Sequence, residues 1–273
     1  MELFAGTSGF SYPEWRGPFY PAHLANTELL PYYAARLRCV EISNTFHRMP
    51  RAEMLARWTE RVPAWFRFVL KAPQQITHRS GLRGAAEAVE HLWRTASALG
   101  RHLGPFLFQL PSTLHADAAA LRRFLRELPE GCQAAFEFRH PSWSHPAVLD
   151  ALRDAGCAQC AGDGEPPGAP PRMPDGSTDA AAARSTESSE LAALVATADF
   201  GYLRLRRASY TDAELDVWVH RIRSIGRAWR EVYVFFKHEE AGAAPAMALR
   251  MHARFAAASP ARRQDRQESP RWL

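Results

Sequence analysis

Short apolar runs recur along this chain, each closing on polar or charged residues, with helix-like stretches between them. Eight can be read: LFAGTSG from Leu3, CVEISN from Cys39, RFVLKA from Arg67, PFLFQL from Pro105, AAFEFR from Ala134, CAQCAGD from Cys157, FGYLRLR from Phe200 and EVYVFFK from Glu231. Their length and their β-branched and aromatic content predict strands. Caps and periodicity predict helices over 28–37, 52–62, 85–99, 117–128, 146–155, 188–198, 212–225 and 244–258. Pro146 suits a first helical turn, and Gly156 and Gly226 follow helix ends. Strand–helix alternation on this scale predicts an α/β protein with a TIM-type (β/α)8 barrel in a single domain. The expected domain is 1–259. A Pro/Gly/Ala-rich insertion at 164–187 follows strand six and has too few large apolar residues to offset its ordering entropy, so a flexible loop is expected there. An Arg-rich tail at 260–273 is expected to be disordered.

Such barrels carry their chemistry at the C-terminal strand ends. Alternation along a strand orients those ends. Val40 and Ile42 face the helices, which leaves Glu41, Ser43 and Thr45 inward. Phe136 and Phe138 face outward, leaving Glu137 and Arg139 at the mouth. In strand seven Leu203 and Leu205 face outward, with Tyr202, Arg204 and Arg206 inward. Lys71 lies on the side of Val69, and Gln109 on the side of Leu107. Carboxylates at Glu41, Glu137 and Asp163 thus meet cations at Lys71, Arg139, Arg204, Arg206 and Lys237. In a dry interior such charges are paired or serve a ligand. The excess of cations points to a small anionic ligand such as phosphate, sulfate or carboxylate. Structural ion pairs, Glu137 with Arg139 and Glu41 with Lys71, are the competing reading.

Composition narrows the class. The chain has 273 residues, of which 47% are hydrophobic, enough for a large core. No apolar stretch approaches the roughly 18 residues of a membrane span, and the opening run is strand-like rather than leader-like, so a cytoplasmic protein without membrane attachment is expected. Four cysteines make no disulfide framework, and Cys157 and Cys160 sit three apart on a strand, facing opposite ways. A net charge of +5 allows nucleic acid as a partner without requiring it. His and acidic residues are too sparse near the strand ends to suggest a metal site, and no motif calls for a cofactor.

Several motifs are familiar. GTSGFSYPEWRGPFYP from Gly6, VEISNTFHRMP from Val40, LFQLP from Leu107 and AFEFRHPSW from Ala135 resemble the YecE-like family, domain of unknown function seventy-two. The likeness runs over 6–249 and implies a TIM barrel; it implies no particular reaction. The family's motif residues fall on Gly6, Ser8, Gly9, Tyr12, Trp15, Glu41, Asn44, Thr45, Phe46, Lys71, Gln109, Glu137, Arg139, His140, Trp143, Asp163 and Arg204. Three departures stand out. His47 replaces a Tyr, the run Arg204-Leu205-Arg206-Arg207 replaces Arg-x-His-Gly, and Lys237 with His238 replaces an Asn.

Taken together, these features favour an enzyme acting on a phosphate-bearing small molecule or nucleotide by acid/base chemistry of a hydrolase or lyase kind. Glu137 leads as acid–base candidate, with Glu41 and Lys71 as further catalytic candidates. Ser8, Tyr12, Trp15, Asn44, Gln109, Arg139, His140, Asp163, Arg204, Arg206, Lys237 and His238 are the expected ligand contacts. Replacing Glu137 by Gln is expected to abolish turnover with little effect on stability. A nucleic-acid-binding or phosphodiester-cleaving barrel is the alternative, and a non-catalytic anion sensor is another. A glycosidase fits worst, because Glu41 and Glu137 stand three strands apart, expected to be too far across the mouth to flank one bond.

Overall fold

The computed structural model describes residues 1–163, 194–237 and 242–258. The expected insertion at 164–187, His238 and the 260–273 tail lie outside the described residues. Each apolar run forms a strand: β1 Glu2–Ser8, β2 Cys39–Ile42, β3 Arg67–Lys71, β4 Leu103–Gln109, β5 Ala134–Glu137, β6 Ala158–Gly162, β7 Phe200–Leu205 and β8 Glu231–Phe236. They pair in chain order, all parallel, and β8 closes onto β1.

Among the described residues the helices are α1 Leu29–Ala34, α2 Ala52–Thr59, α3 Ala86–Ala96, α4 Ala118–Arg126, α5 Pro146–Asp154, α6 Asp212–Ser224 and α7 Ala243–Ala257. Local chemistry sets several boundaries. The Asp117 carboxylate accepts from the Ala120 amide at 2.8 Å and starts α4. Thr211 and Glu214 form a reciprocal capping box on α6. The helix expected over 188–198 is not present in its described part. Residues 194–199 carry no helix, and the Thr197 hydroxyl instead accepts the Gln159 amide of β6 at 2.9 Å. The remainder of that expectation lies outside the described residues.

Two apolar layers hold the barrel. The outer one packs strand residues such as Val40, Phe136, Leu203 and Leu205 against the helices. The inner one joins Phe4, Cys39, Val69, Leu107, Ala135, Ala158, Phe200, Tyr202, Tyr233 and Phe235. Its rings come from β1, β7 and β8, while β2 to β6 supply small or aliphatic residues. Large therefore faces small, and the interior is filled rather than hollow. Cys157 belongs to the outer layer and Cys160 packs against the inner one, as strand alternation requires.

Candidate functional site

Above the inner apolar layer the same inward positions turn polar, and the register decides which polar groups meet. Ser8 is level with Glu41, Gln109 with Glu137, and Gly162 with Arg204. Arg204 stands at the centre. One guanidinium nitrogen donates to Glu137 Oε2 at 2.6 Å and to Gln109 Oε1 at 3.2 Å, and the other to Glu41 Oε1 at 2.8 Å. Glu41 also accepts from the Ser8 hydroxyl at 2.8 Å, the Tyr202 hydroxyl at 2.7 Å and the Ser43 hydroxyl at 3.3 Å. Glu137 accepts further from Arg206 at 2.5 Å and from Arg139 Nε at 3.0 Å. Asp163 accepts the Tyr210 hydroxyl at 2.6 Å and the Arg206 amide at 3.1 Å, which secures the turn after β7.

These pairings set the protonation states. Burial alone would raise the Glu137 carboxyl, but Arg204, Arg206 and Arg139 overcome it and hold the group well below the usual carboxylate range. Burial likewise opposes Glu41, yet Arg204, Tyr202 and Ser8 lower it. Both acids are therefore ionised anchors with their oxygens already committed. Neither offers a proton at neutral pH. Glu137→Gln would take a counter-charge from Arg139 and Arg206 and leave Arg204 with Glu41 alone, which bears on the expectation that this change spares stability. Of the two pairs in the competing reading, Glu137–Arg139 forms, while Glu41 pairs with Arg204 in place of Lys71. Strand counting overstated the separation of the two carboxylates: inward side chains converge on the barrel axis, so one guanidinium spans both. That space is filled by Arg204.

Lys71 stands apart from this network. It ends β3, is half-buried, and its amine makes neither a hydrogen bond nor an ion pair among the described residues. Its neighbour is the ring face of Phe46, with Nζ 4.0 Å from the centroid. Burial, and then Arg204, pull the amine down to about 8, against the opposing influence of Glu41 and Glu137, with Lys237 adding to the fall. His78 lies against the same Phe46 ring, centroids 4.8 Å apart, and its Nδ1 is 2.8 Å from the Thr77 hydroxyl. Burial lowers His78, and the charges of Lys71 and Arg139 lower it further.

The sequence carried a signal for Lys71 beyond its motif. Only Lys71 and Lys237 are lysines; the other 32 of the 34 basic residues are arginines. Lys71 closes β3, and Lys237 directly follows β8. His78, by contrast, was legible only as one of several rim histidines, because nothing in the run QITHR announces the π-helical turn over Gln75–Arg79 that brings it over Phe46.

Other expected contacts are placed differently. Trp15 is fully buried, packed on Tyr12, Phe19 and Tyr20, so it belongs to the core and cannot stack on a ligand. Trp143, named among the family's motif residues, is buried too, stacked on Phe138. His140 caps a short turn, accepting the Ser142 amide, and lies on His115. Tyr12 donates to the Ser8 carbonyl at 2.7 Å. Tyr12 and Asn44 line a neighbouring cavity of about 680 Å³ shared with Ser43, Met49, Met54, Trp58 and the exposed Arg48, Arg51 and Arg57. Arg139 and Lys237 remain accessible at the rim. Among the described residues, no three His, Cys, Asp or Glu side chains cluster so as to hold a metal ion, and no helix is long and apolar enough to cross a membrane.

A family model described as a protein of unknown function, DUF72, matches residues 4–271. The chain belongs to the DUF72 family. The UPF0759 protein YecE of Escherichia coli K12 is 32% identical over 142 residues, which is 52% of this chain. The chain spans about half the length of the Escherichia coli relatives it matches (50% in each case). The UPF0759 protein YunF of Bacillus subtilis is 21% identical over 82% of this chain and 85% of its own. A DUF72 crystal structure from Thermotoga maritima superposes with a TM-score of 0.75 at 26% identity, covering 93% of this chain and 98% of that one. One from Enterococcus faecalis, at 19% identity and a TM-score of 0.67, covers 92% and 96% and shows the same fold.

Proposed function

We propose that the barrel mouth is a catalytic pocket for a small anionic substrate, a phosphate-bearing molecule or nucleotide, worked by acid/base chemistry. Five cations (Lys71, Arg139, Arg204, Arg206, Lys237) against three carboxylates leave an excess of positive charge there. Arg204, Glu41 and Glu137 form the fixed frame. Arg139, with 40% of its side chain exposed, and Arg206 are oriented by Glu137 and present guanidinium edges to an incoming anion.

The observation that carries the reading is Lys71. An amine pulled to about 8 is neutral in roughly one molecule in ten at pH 7, about 300-fold more than for an ordinary lysine. Arginine could hold an anion in its place but could not exchange a proton. Lys71 is accordingly the group that moves protons, with His78 beside it, and Glu137 and Glu41 are positioning residues.

Calorimetric titration of the full chain with inorganic phosphate and with phosphomonoesters tests the pocket. Saturable binding, weakened at least tenfold by Arg139→Ala, is the expected result. No saturable binding, or binding indifferent to that change, contradicts it. A second reading, nucleic acid lying across the rim, is favoured by Arg48, Arg51 and Arg57 around the neighbouring cavity. It predicts oligonucleotide affinity that falls steeply with salt and is lost when these arginines become Ala.

A further inference from the structure

We infer that Lys71 is a nucleophile: its amine condenses with the carbonyl carbon of a phosphate-bearing aldehyde or ketone to form an imine in the barrel mouth. The inference rests on the proposed anion pocket and goes beyond it by naming the substrate class and the bond that forms.

Four observations converge. First, the amine is uncommitted. It faces the barrel axis from the end of β3, makes no hydrogen bond or ion pair among the described residues, and lies over the Phe46 ring face at 4.0 Å. Second, the nearby carboxylates cannot capture it, because Glu41 and Glu137 are bound by Arg204, Arg206 and Arg139. An amine half-removed from water, beside cations and without an acidic partner, is how a lysine is made nucleophilic. Third, a carbonyl bearing a phosphate finds guanidiniums at Arg139 and Arg206 on the same rim. Fourth, the chain uses arginine at 32 of its 34 basic positions, and keeps lysine here. A guanidinium cannot form this bond. The lowered pKa of the amine is a consequence of the same surroundings and supplies its lone pair at neutral pH.

The step balances without an oxidant or reductant. The nitrogen lone pair attacks the carbonyl carbon, and the carbon–oxygen π electrons move to oxygen. A proton passes from nitrogen to that oxygen, giving a carbinolamine. Protonation of its hydroxyl and loss of the remaining nitrogen proton, with neutral His78 as the adjacent carrier, expel one water and leave the imine. Once protonated, the imine draws electrons from the bond next to the former carbonyl, which is what lyase-type chemistry requires.

Trapping tests this directly. The full chain is incubated with glyceraldehyde 3-phosphate or with glyceraldehyde, each with sodium cyanoborohydride, and then mapped by peptide mass spectrometry. The expected product is one reduced adduct on Lys71, at least tenfold more abundant with the phosphate than without. Lys71→Arg, which keeps the charge, should abolish it. No adduct, or equal labelling of Lys71, Lys237 and the N-terminal amine, overturns the inference. Calorimetry with inorganic phosphate separates the two ideas: phosphate binding without an adduct overturns the imine alone, and failure of both overturns the pocket as well.

Discussion

Glu137 is held by three guanidiniums, and that single fact changes what the residue can do. As a residue read from sequence, it is a lone carboxylate at the end of a barrel strand, the usual place for an acid or base. In the structure it is the counter-charge for Arg204, Arg206 and Arg139. Removing one member of a buried ionic set costs about 3–5 kcal/mol, because the remaining charges lose their partner. Glu137→Gln should therefore lower unfolding free energy by about that amount in denaturant titrations at pH 7. The pH dependence has a definite sign. The folded carboxyl lies below its unfolded value of about 4.3, so its contribution is fully present above that pH and is lost as pH falls toward the folded value. Wild-type stability should decline in acid below about pH 4, and the Gln variant should decline less steeply over the same range. Parallel acid profiles for the two proteins would contradict the ion-paired assignment.

The elements explain how Arg204 comes to be there at all. Gly162 on β6 lies level with Arg204 on β7, and a Cβ at Gly162 would sit 2.2 Å from the Arg204 carbonyl oxygen. The close approach of these strands needs glycine. Gly162→Ala should push β7 outward, displace the Arg204 fork from Glu41 and Glu137, and cost stability at least as great as an ordinary strand substitution. Retention of wild-type melting temperature would speak against that tight register. Gly9 does related work at the end of β1, with φ +86 and its amide donating to the Glu41 carbonyl at 2.8 Å.

Strands of this kind were legible because a period of two decides which residues face inward, and closure then fixes who meets whom. Glu41, Glu137 and Arg204 follow from that rule alone. The rim was less legible. Trp15 and Tyr12 fall in one loop motif and look alike on paper, yet one is sealed in the core and the other is half-buried against the mouth. Amphipathic rings cap a barrel as readily as they stack a ligand, so sequence alone does not separate the two. The expected helix over 188–198 fails in its described part for a different reason. Its Ser cap and Ala/Leu content are local signals, overridden where Thr197 bonds to the neighbouring strand.

At the scale of the whole molecule, barrel closure concentrates charge. Strand ends far apart in sequence, from Ser8 to Lys237, are drawn to one mouth. Most cations there are neutralised by carboxylates within a buried frame, while Lys71 is left over a ring face without an acidic partner. Scarcity of lysine makes this arrangement directly measurable. With ε-13C-lysine incorporated, the full chain has two lysine side-chain resonances, and Lys71→Met identifies one of them by its loss. A pH titration of that resonance by NMR is the most direct test of the account. Titration near pH 8 is the result predicted. A midpoint near the ordinary lysine value of about 10.4 would mean that the amine is a fixed cation and would contradict the role assigned to it.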